Sequence, residues 1–485
     1  MANDNIETRL FIDGKFVPSS SSDSTFPLTS PHTSTPLATV SAATPTDVSA
    51  AVAAASRAHP SWSALSPAQR GAPMTRLAEL IVAHKAALAE LEARSMGKPV
   101  GEFFEADAAA GAFRLYAGLG WSARGTTSLN TPGYVNVTVR QPFGVVGVII
   151  PWNAPLLFFA KKVAPAVAAG NAVVVKSSER APLTSAKLAT LINQAGFPPG
   201  VINVLSGLGP VAGAAMSSHP QIRMISFTGS LRAGKAIQAA AAASNLKNVV
   251  LELGGKSPAI VFADADLDEA ARATAYSVST NAGQTCMQNS RVYVQRAVAD
   301  AFVERVKSCL AGVRMGDPLE AETQMGPIVD AEQQKRVLEY IKEGTETSRE
   351  TITLADAAAA GAGSTHVSPT VFLDTPEDAR VMKEEVFGPV VNINGFEDEE
   401  EVVKKANDTE FGLYASVFTR DVDRALRMMT RLDAGTVGIN CTSPTTAVDM
   451  PFGGYKQSGL GREGLEHSLS NYLEVKTALI KVKGL

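Results

Sequence analysis

The chain has 485 residues, of which 45% are apolar and 19% charged, with 39 glycines and 27 prolines. At roughly 150 residues per domain that is about three domains, and this composition buries a large core, which excludes wholesale disorder. A net charge of −4 excludes a global field for nucleic acid or an anionic membrane, and three cysteines cannot make a disulfide framework and fit a reducing compartment.

The first residues, Met1-Ala2-Asn3-Asp4-Asn5-Ile6-Glu7, lack the basic-then-apolar order of a secretory signal and the Arg-rich bias of a transit peptide. The last five, 481–485, match no retention or lipidation tail. A cytoplasmic, enzyme-sized protein is therefore expected. Residues 1–45 are rich in Ser, Thr and Pro, and 11–16 read as a small hairpin turning at Asp13-Gly14. An Ala-rich helix is predicted over 47–58. Helical spacing over 76–96 predicts one helix, stopped by Gly97-Lys98-Pro99. Residues 143–160 carry no charge, long enough to raise the question of a membrane span. Pro151, Asn153 and Pro155 interrupt them and Lys161-Lys162 follow, so they read as a buried strand, a loop and a helix start.

From residue 145 the texture alternates. Strands are predicted at 145–150, 172–176, 201–205, 224–227 and 248–253, with helices at 163–169, 185–195 and 235–244. Strands apolar on both faces and separated by helices predict an α/β fold with a parallel sheet covered on both sides, the texture of a dinucleotide-binding domain. A second α/β block starts near Lys256, with strands at 259–262 and 291–294 and helices at 267–277 and 297–313. Residues 355–364 are low-complexity Ala/Gly and read as an exposed turn. Residues 134–139 alternate as a strand should. The terminal segment 472–482 has β composition and must join a sheet edge, in its own subunit or a neighbour's.

Four groups of residues carry chemistry. Cys286 follows Asn281-Ala282-Gly283-Gln284-Thr285, a turn-like approach in which backbone N–H groups and the dipole of a following helix would activate a thiol. A buried structural thiol is the competing reading, and Cys309 and Cys441 keep it. Glu252 ends an apolar strand before Gly254-Gly255-Lys256. A carboxylate buried there is paired with Lys256, caps the next turn, or is held as a raised-pKa base. Asn153 lies between Pro151 and Pro155 at a strand tip, where its amide either donates to an oxyanion or simply makes a turn. Dinucleotide contacts have three candidate sites. Gly207-Leu208-Gly209 through Gly213 follows a strand but misses the usual glycine spacing. Phe227-Thr228-Gly229-Ser230 opens a helix with Gly234 inside it. Lys176 and Glu179 end a further strand, where a carboxylate accepts ribose hydroxyls unless the two are only a solvated pair. The six histidines show no metal-ligand spacing, so no metal is expected.

The order of these motifs is more specific than any one of them. Pro-Trp-Asn (151–153), Lys…Glu (176–179), Phe-Thr-Gly-Ser (227–230), Glu-Leu-Gly-Gly-Lys (252–256), Gly-Gln-Thr-Cys (283–286), Glu-Glu-Val-Phe-Gly-Pro (384–389) and Pro-Phe-Gly-Gly-Tyr-Lys-Gln-Ser-Gly (451–459) together resemble the NAD(P)-dependent aldehyde dehydrogenase superfamily, of the hydrolytic, non-acylating type. The resemblance runs over nearly the whole chain. It implies a Rossmann-type cofactor domain (1–123, 143–254 and 457–471), a catalytic domain (255–456) and a small β oligomerisation arm (124–142 and 472–485).

It further implies Cys286 as nucleophile, Glu252 as general base and Asn153 as oxyanion donor. NAD, with NADP as a second possibility, would be held by Ile150, Trp152, Lys176, Glu179, Gly209, Gly213, Phe227, Ser230, Gly234, Leu253, Glu385 and Phe387. The substrate tunnel would be lined by Ala154, Leu157, Phe158, Lys161, Thr285, Met287 and Phe452. Ala154 stands where a bulky residue is common, and Ser177 where a proline is. The tunnel then suits a bulky or aromatic aldehyde, with Lys161 either facing an anionic far end or pointing to solvent beside Lys162. The expected partners are a small-molecule aldehyde and other copies of the chain, as homodimer or homotetramer, with no nucleic acid and no membrane. The alternatives are a CoA-acylating relative, which Glu252 argues against, and a non-catalytic structural relative.

Overall fold

The computed structural model describes residues 6–354, 363–444 and 447–483. It is an α/β protein built on two large sheets. The first has eight strands in the order Gly459–Leu460, Asn248–Glu252, Met224–Thr228, Val145–Ile149, Ala172–Lys176, Ile202–Leu205, Leu10–Ile12 and Lys15–Val17. The five central strands from Asn248–Glu252 to Ile202–Leu205 run parallel, and the edges are antiparallel. Val145–Ile149 and Ala172–Lys176 are buried throughout, as two-sided burial between helices requires. The Leu10–Ile12 and Lys15–Val17 hairpin turns at Asp13-Gly14, both at positive φ.

The second sheet has seven strands, all parallel except Glu350–Thr353 at one edge. Its centre is Asn289–Gln295 between Ser257–Val261 and Val390–Phe396. A third sheet stands apart from both. The terminal strand Leu473–Lys481 pairs antiparallel with Tyr134–Pro142 along its full length, and Thr127–Ser128 completes it. The faces of the two large sheets are closed by helices whose apolar stripes form separate core clusters, one around Trp62, Phe113, Phe159 and Val173, another around Val261, Val292 and Phe302.

Several expected boundaries move. The stretch 76–96 is two helices, Pro67–Ala83 and Lys85–Met96, because the backbone at His84 leaves the helical region (φ −105, ψ 16). The first begins earlier than predicted, under a Ser66/Gln69 capping box with Pro67 at its first turn. The helix expected at 163–169 is the end of a longer one, Pro155–Ala168, which tolerates Pro165. The helix predicted over 297–313 is a short 3₁₀ turn, Arg296–Val298, followed by Ala299–Ala311. Of the Ala/Gly stretch, 355–362 lie outside the described residues. Among the described residues no helix is long and apolar enough to cross a membrane, and 143–160 are strand, turn and helix start.

Candidate active site

The tips of the first sheet and the loop entering the second sheet meet in one cleft. Cys286 lies in the connection between helix Leu267–Ser279 and strand Asn289–Gln295. The expected following helix is absent, and a strand follows instead. No helix N-terminus faces the thiol from its own segment, and the preceding helix presents its C-terminal end. The connection is bent by three successive left-handed residues, Asn281 (φ 51), Ala282 (φ 53) and Gly283 (φ 69). Gly283 is forced, since a Cβ there would stand 2.1 Å from the carbonyl oxygen of Gly388.

Asn153 pins this bend. Its Nδ2 donates to the Gln284 carbonyl at 3.0 Å, while Asn281 Nδ2 donates to the Asn153 carbonyl at 3.0 Å and to Gln284 O at 3.2 Å. The amide is 8% exposed. Asn153 is therefore more than a turn residue: it ties the tip of Val145–Ile149 to the cysteine loop. The helix that follows is held from behind, where Glu92 Oε1 accepts from the Leu156 amide at 3.2 Å.

Glu252 ends strand Asn248–Glu252, is 3% exposed, and neither carboxyl oxygen has a partner among the described residues. Pairing with Lys256 does not occur, and the Lys256 ammonium is itself buried without a hydrogen-bond partner. A Cβ on Gly453 would come within 3.0 Å of Glu252 Oε1, so glycine leaves this carboxyl its room. Burial first and the Glu463 carboxylate second hold Glu252 well above the usual carboxylate range, against Lys162, Arg462 and Lys161. The Cys286 thiol is pushed up to about 12 by burial and by Glu385 and Glu252, with Lys161 opposing. Thiol and carboxyl thus sense each other and the same ammonium.

On helix Pro155–Ala168 eleven residues are buried, and the three that keep solvent access are Leu157, Phe158 and Lys161. Thr285, Cys286, Met287 and Phe452 are likewise half-buried, and Ala154 is buried. Lys162, next to Lys161, turns the other way. It is fully buried, 2.5 Å from Glu463 Oε1 and 2.9 Å from Ser226 Oγ. Glu463 exchanges two backbone hydrogen bonds of 2.7 Å with Phe452. Sequence reasoning missed Lys162, Glu463, Asn281 and Gln284. The available signal was charge in an otherwise apolar helix, which demands a buried partner.

The residues expected to hold the cofactor lie on the neighbouring strand ends. Lys176 Nζ is 2.9 Å from Glu179 Oε2, with the lysine buried and the carboxylate partly open. Burial alone would raise Glu179, but Lys176, a backbone hydrogen bond and Arg180 together hold the carboxyl low. Glu385 Oε1 accepts from the Gly255 amide at 2.9 Å, and burial raises its carboxyl to about 7. Trp152 and Phe387 meet edge to face at 5.3 Å, and Phe387 has φ 57. A Cβ on Gly209 or Gly213 would meet open space, whereas Gly234 is packed so closely on Leu253 that a Cβ would stand 2.6 Å from its Cδ2. Ser230 caps helix Leu231–Ser244, accepting from the Ala233 amide, and Ile150 and Phe227 are buried behind it in the sheet region. Among the described residues no group of three or more His, Cys, Asp or Glu side chains is placed to hold a metal ion.

A sequence model of the aldehyde dehydrogenase family matches residues 16–478. Retinal dehydrogenase 2 of Homo sapiens is 42% identical over 482 residues, covering 98% of this chain and 92% of that protein. The mitochondrial benzaldehyde dehydrogenase of Antirrhinum majus is 42% identical over 480 residues, covering 98% and 89%. The structure of a P. syringae indole-3-acetaldehyde dehydrogenase mutant in complex with NAD+ superposes with a TM-score of 0.95 at 37% identity, covering 99% of this chain and 98% of that one.

Proposed function

The chain belongs to the aldehyde dehydrogenase family, and from that premise we propose that it oxidises a bulky aldehyde to its acid with NAD, through an acyl group on Cys286 that a Glu252-activated water hydrolyses. It is an NAD(P)-dependent aldehyde dehydrogenase, and NAD is its cofactor. The observation that carries the mechanism is the shared cleft: a half-buried thiol, an unpartnered raised carboxyl and a pinned amide within one electrostatic neighbourhood.

The Cys286 sulfur adds to the carbonyl carbon once its proton has passed to water, a step that Lys161 favours and the carboxylates oppose. Asn153 gives one Nδ2–H to Gln284 and has a second for the alkoxide that forms. NAD, which Lys176, Glu179 and Glu385 would hold, would supply the acceptor for the hydride that the collapsing alkoxide expels. Cys286 is then acylated. Glu252, raised by burial and without a protein partner, takes a proton from the water that attacks the thioester.

The residues fit a dinucleotide. Gly209 and Gly213 leave open space at a strand end, and Glu179 holds an accepting carboxylate beside a buried lysine. That carboxylate accepts both ribose hydroxyls and repels a 2′-phosphate, which favours NAD over NADP. The apolar wall of Leu157 and Phe158 and the small Ala154 favour bulk, in keeping with relatives named for benzaldehyde and indole-3-acetaldehyde. We assign the cofactor domain to 1–123, 143–254 and 457–471, the catalytic domain to 255–456, and an oligomerisation arm to 124–142 with 472–485.

The test is NADH absorbance with benzaldehyde. Wild type forms NADH without CoA, and Cys286→Ala abolishes turnover while calorimetry still detects NAD binding. Turnover above a trace in Cys286→Ala removes the cysteine from its role, and a strict need for CoA selects the acylating alternative.

A further inference from the structure

The stripe Leu157, Phe158 and Lys161 is the sole accessible part of helix Pro155–Ala168. All three residues are half-buried. The stripe starts beside the cysteine loop, since Asn153, just before this helix, is bonded to that loop. Side chains on a helix lean toward its N-terminus, which carries Lys161 back toward Asn153 and the thiol. Its neighbour Lys162 has a carboxylate at 2.5 Å. Among the described residues the Lys161 ammonium has no hydrogen bond and no ion pair. Burial lowers the Lys161 ammonium from its ordinary value while Glu463, Cys286 and Glu252 favour its charged form, and an anion brought beside it would add a charge-assisted hydrogen bond that no protein group supplies.

We propose that Lys161 selects substrates, and that the preferred aldehyde carries an anionic group, a carboxylate, at the end remote from its carbonyl. This rests on the aldehyde-oxidising reading of the same cleft. The rise of a helix puts Lys161 Cα about 10 Å beyond Ala154 along the axis, and the backward lean shortens that span. A spacer about as long as an aromatic ring then brings a carbonyl carbon to Cys286 and a carboxylate to Lys161. Leu157 and Phe158 flank the spacer. The field of Lys161 acts on both Cys286 and Glu252, in keeping with its place beside the site. That field also helps the thiol, an effect common to every aldehyde.

The experiment separates the two effects by a ratio. The kcat/KM of para-carboxybenzaldehyde is divided by that of its methyl ester, which has the same shape and similar electronics without the charge. Any loss through the thiol cancels. Wild type gives a ratio above unity. Lys161→Met lowers it about ten- to a hundredfold, the worth of one charge-assisted hydrogen bond, and Lys161→Arg retains most of it. Rising salt lowers the ratio in wild type, a readout that stands if Lys161→Met fails to fold. An unchanged ratio in Lys161→Met, or in wild type across salt, overturns the proposal. If wild type oxidises neither compound nor benzaldehyde, the aldehyde-oxidising reading itself has failed. If the ester is oxidised and the ratio is insensitive, only the charge selection has.

Discussion

Lys162 Nζ lies 2.5 Å from Glu463 Oε1, 301 residues away in the chain, and this buried pair borders the Glu252 carboxyl. Each partner acts on Glu252 with opposite sign: Glu463 raises it and Lys162 lowers it. The pair therefore sets where the proposed base titrates without touching substrate.

Glu463→Gln removes the negative charge and leaves the Lys162 ammonium. Glu252 then holds its proton less tightly, so its pKa falls and the acid limb of the hydrolytic pH–rate profile moves to lower pH. The buried lysine loses its partner, at a cost of about 3–5 kcal/mol in stability. Denaturant unfolding and a pH profile of kcat check both; a limb that stays put or moves up contradicts the assignment.

Glu252→Gln keeps the shape of the site and removes the base. Its expected signature is a burst of one equivalent of NADH followed by a stall about a hundredfold or more below wild-type turnover. Stopped-flow absorbance reads the burst. Steady turnover near wild type would take Glu252 out of the hydrolytic step.

Gly254→Ala attacks the cofactor side. A Cβ there would stand 2.3 Å from Glu385 Oε2, so the carboxylate must swing away, a movement a flexible side chain makes without unfolding the chain. The KM for NAD should rise about tenfold, the loss of roughly one hydrogen bond to a charged group. Unchanged NAD affinity by calorimetry would remove Glu385 from the cofactor contacts.

Glu179→Ala should narrow the preference for NAD over NADP by about tenfold, since the repulsion of a 2′-phosphate and the acceptor for ribose hydroxyls vanish together. Parallel kcat/KM series with the two cofactors measure it, and a wild-type preference for NADP would refute the premise.

The terminal strand offers an apolar face, with Val475 63% and Leu479 68% exposed, which fits the proposed homo-oligomer. Deleting 472–485 should give aggregates or inactive monomers, but it also removes the buried Tyr472. Val475→Asp with Leu479→Asp spares that core residue and should shift the chain to monomers in light scattering. A wild type already monomeric at micromolar concentration would dispose of the arm.

The parallel sheet was legible because its strands are continuous apolar runs closed by glycine and proline, and the cleft was legible because its motifs occur in a fixed order. What was not legible has physical causes. The break at His84 lies inside an unbroken apolar periodicity, and its one clue, the Ser66/Gln69 box, marks the start of the earlier helix and not its end. The helix expected after Cys286 was inferred from glycine and small polar residues, which serve equally for the left-handed bend found there. A lysine in an apolar helix signals a buried partner, but nothing near Lys162 says that the partner is Glu463, 301 residues away.

Asn281 and Ala282 carry side chains in a conformation that costs roughly 1–2 kcal/mol per residue, and Asn153 and Asn281 supply the bonds that hold them in it. The cysteine loop is thus a loaded spring with its catch at Asn153, the proposed oxyanion donor. Replacing Asn153 by alanine removes a donor and releases the catch in one stroke, so the rate it loses is the sum of two injuries. Asn281→Gly relieves the strain at 281 but also removes two of the three bonds while leaving the Asn153 amide in place, so its rate loss reads the bend with the donor kept.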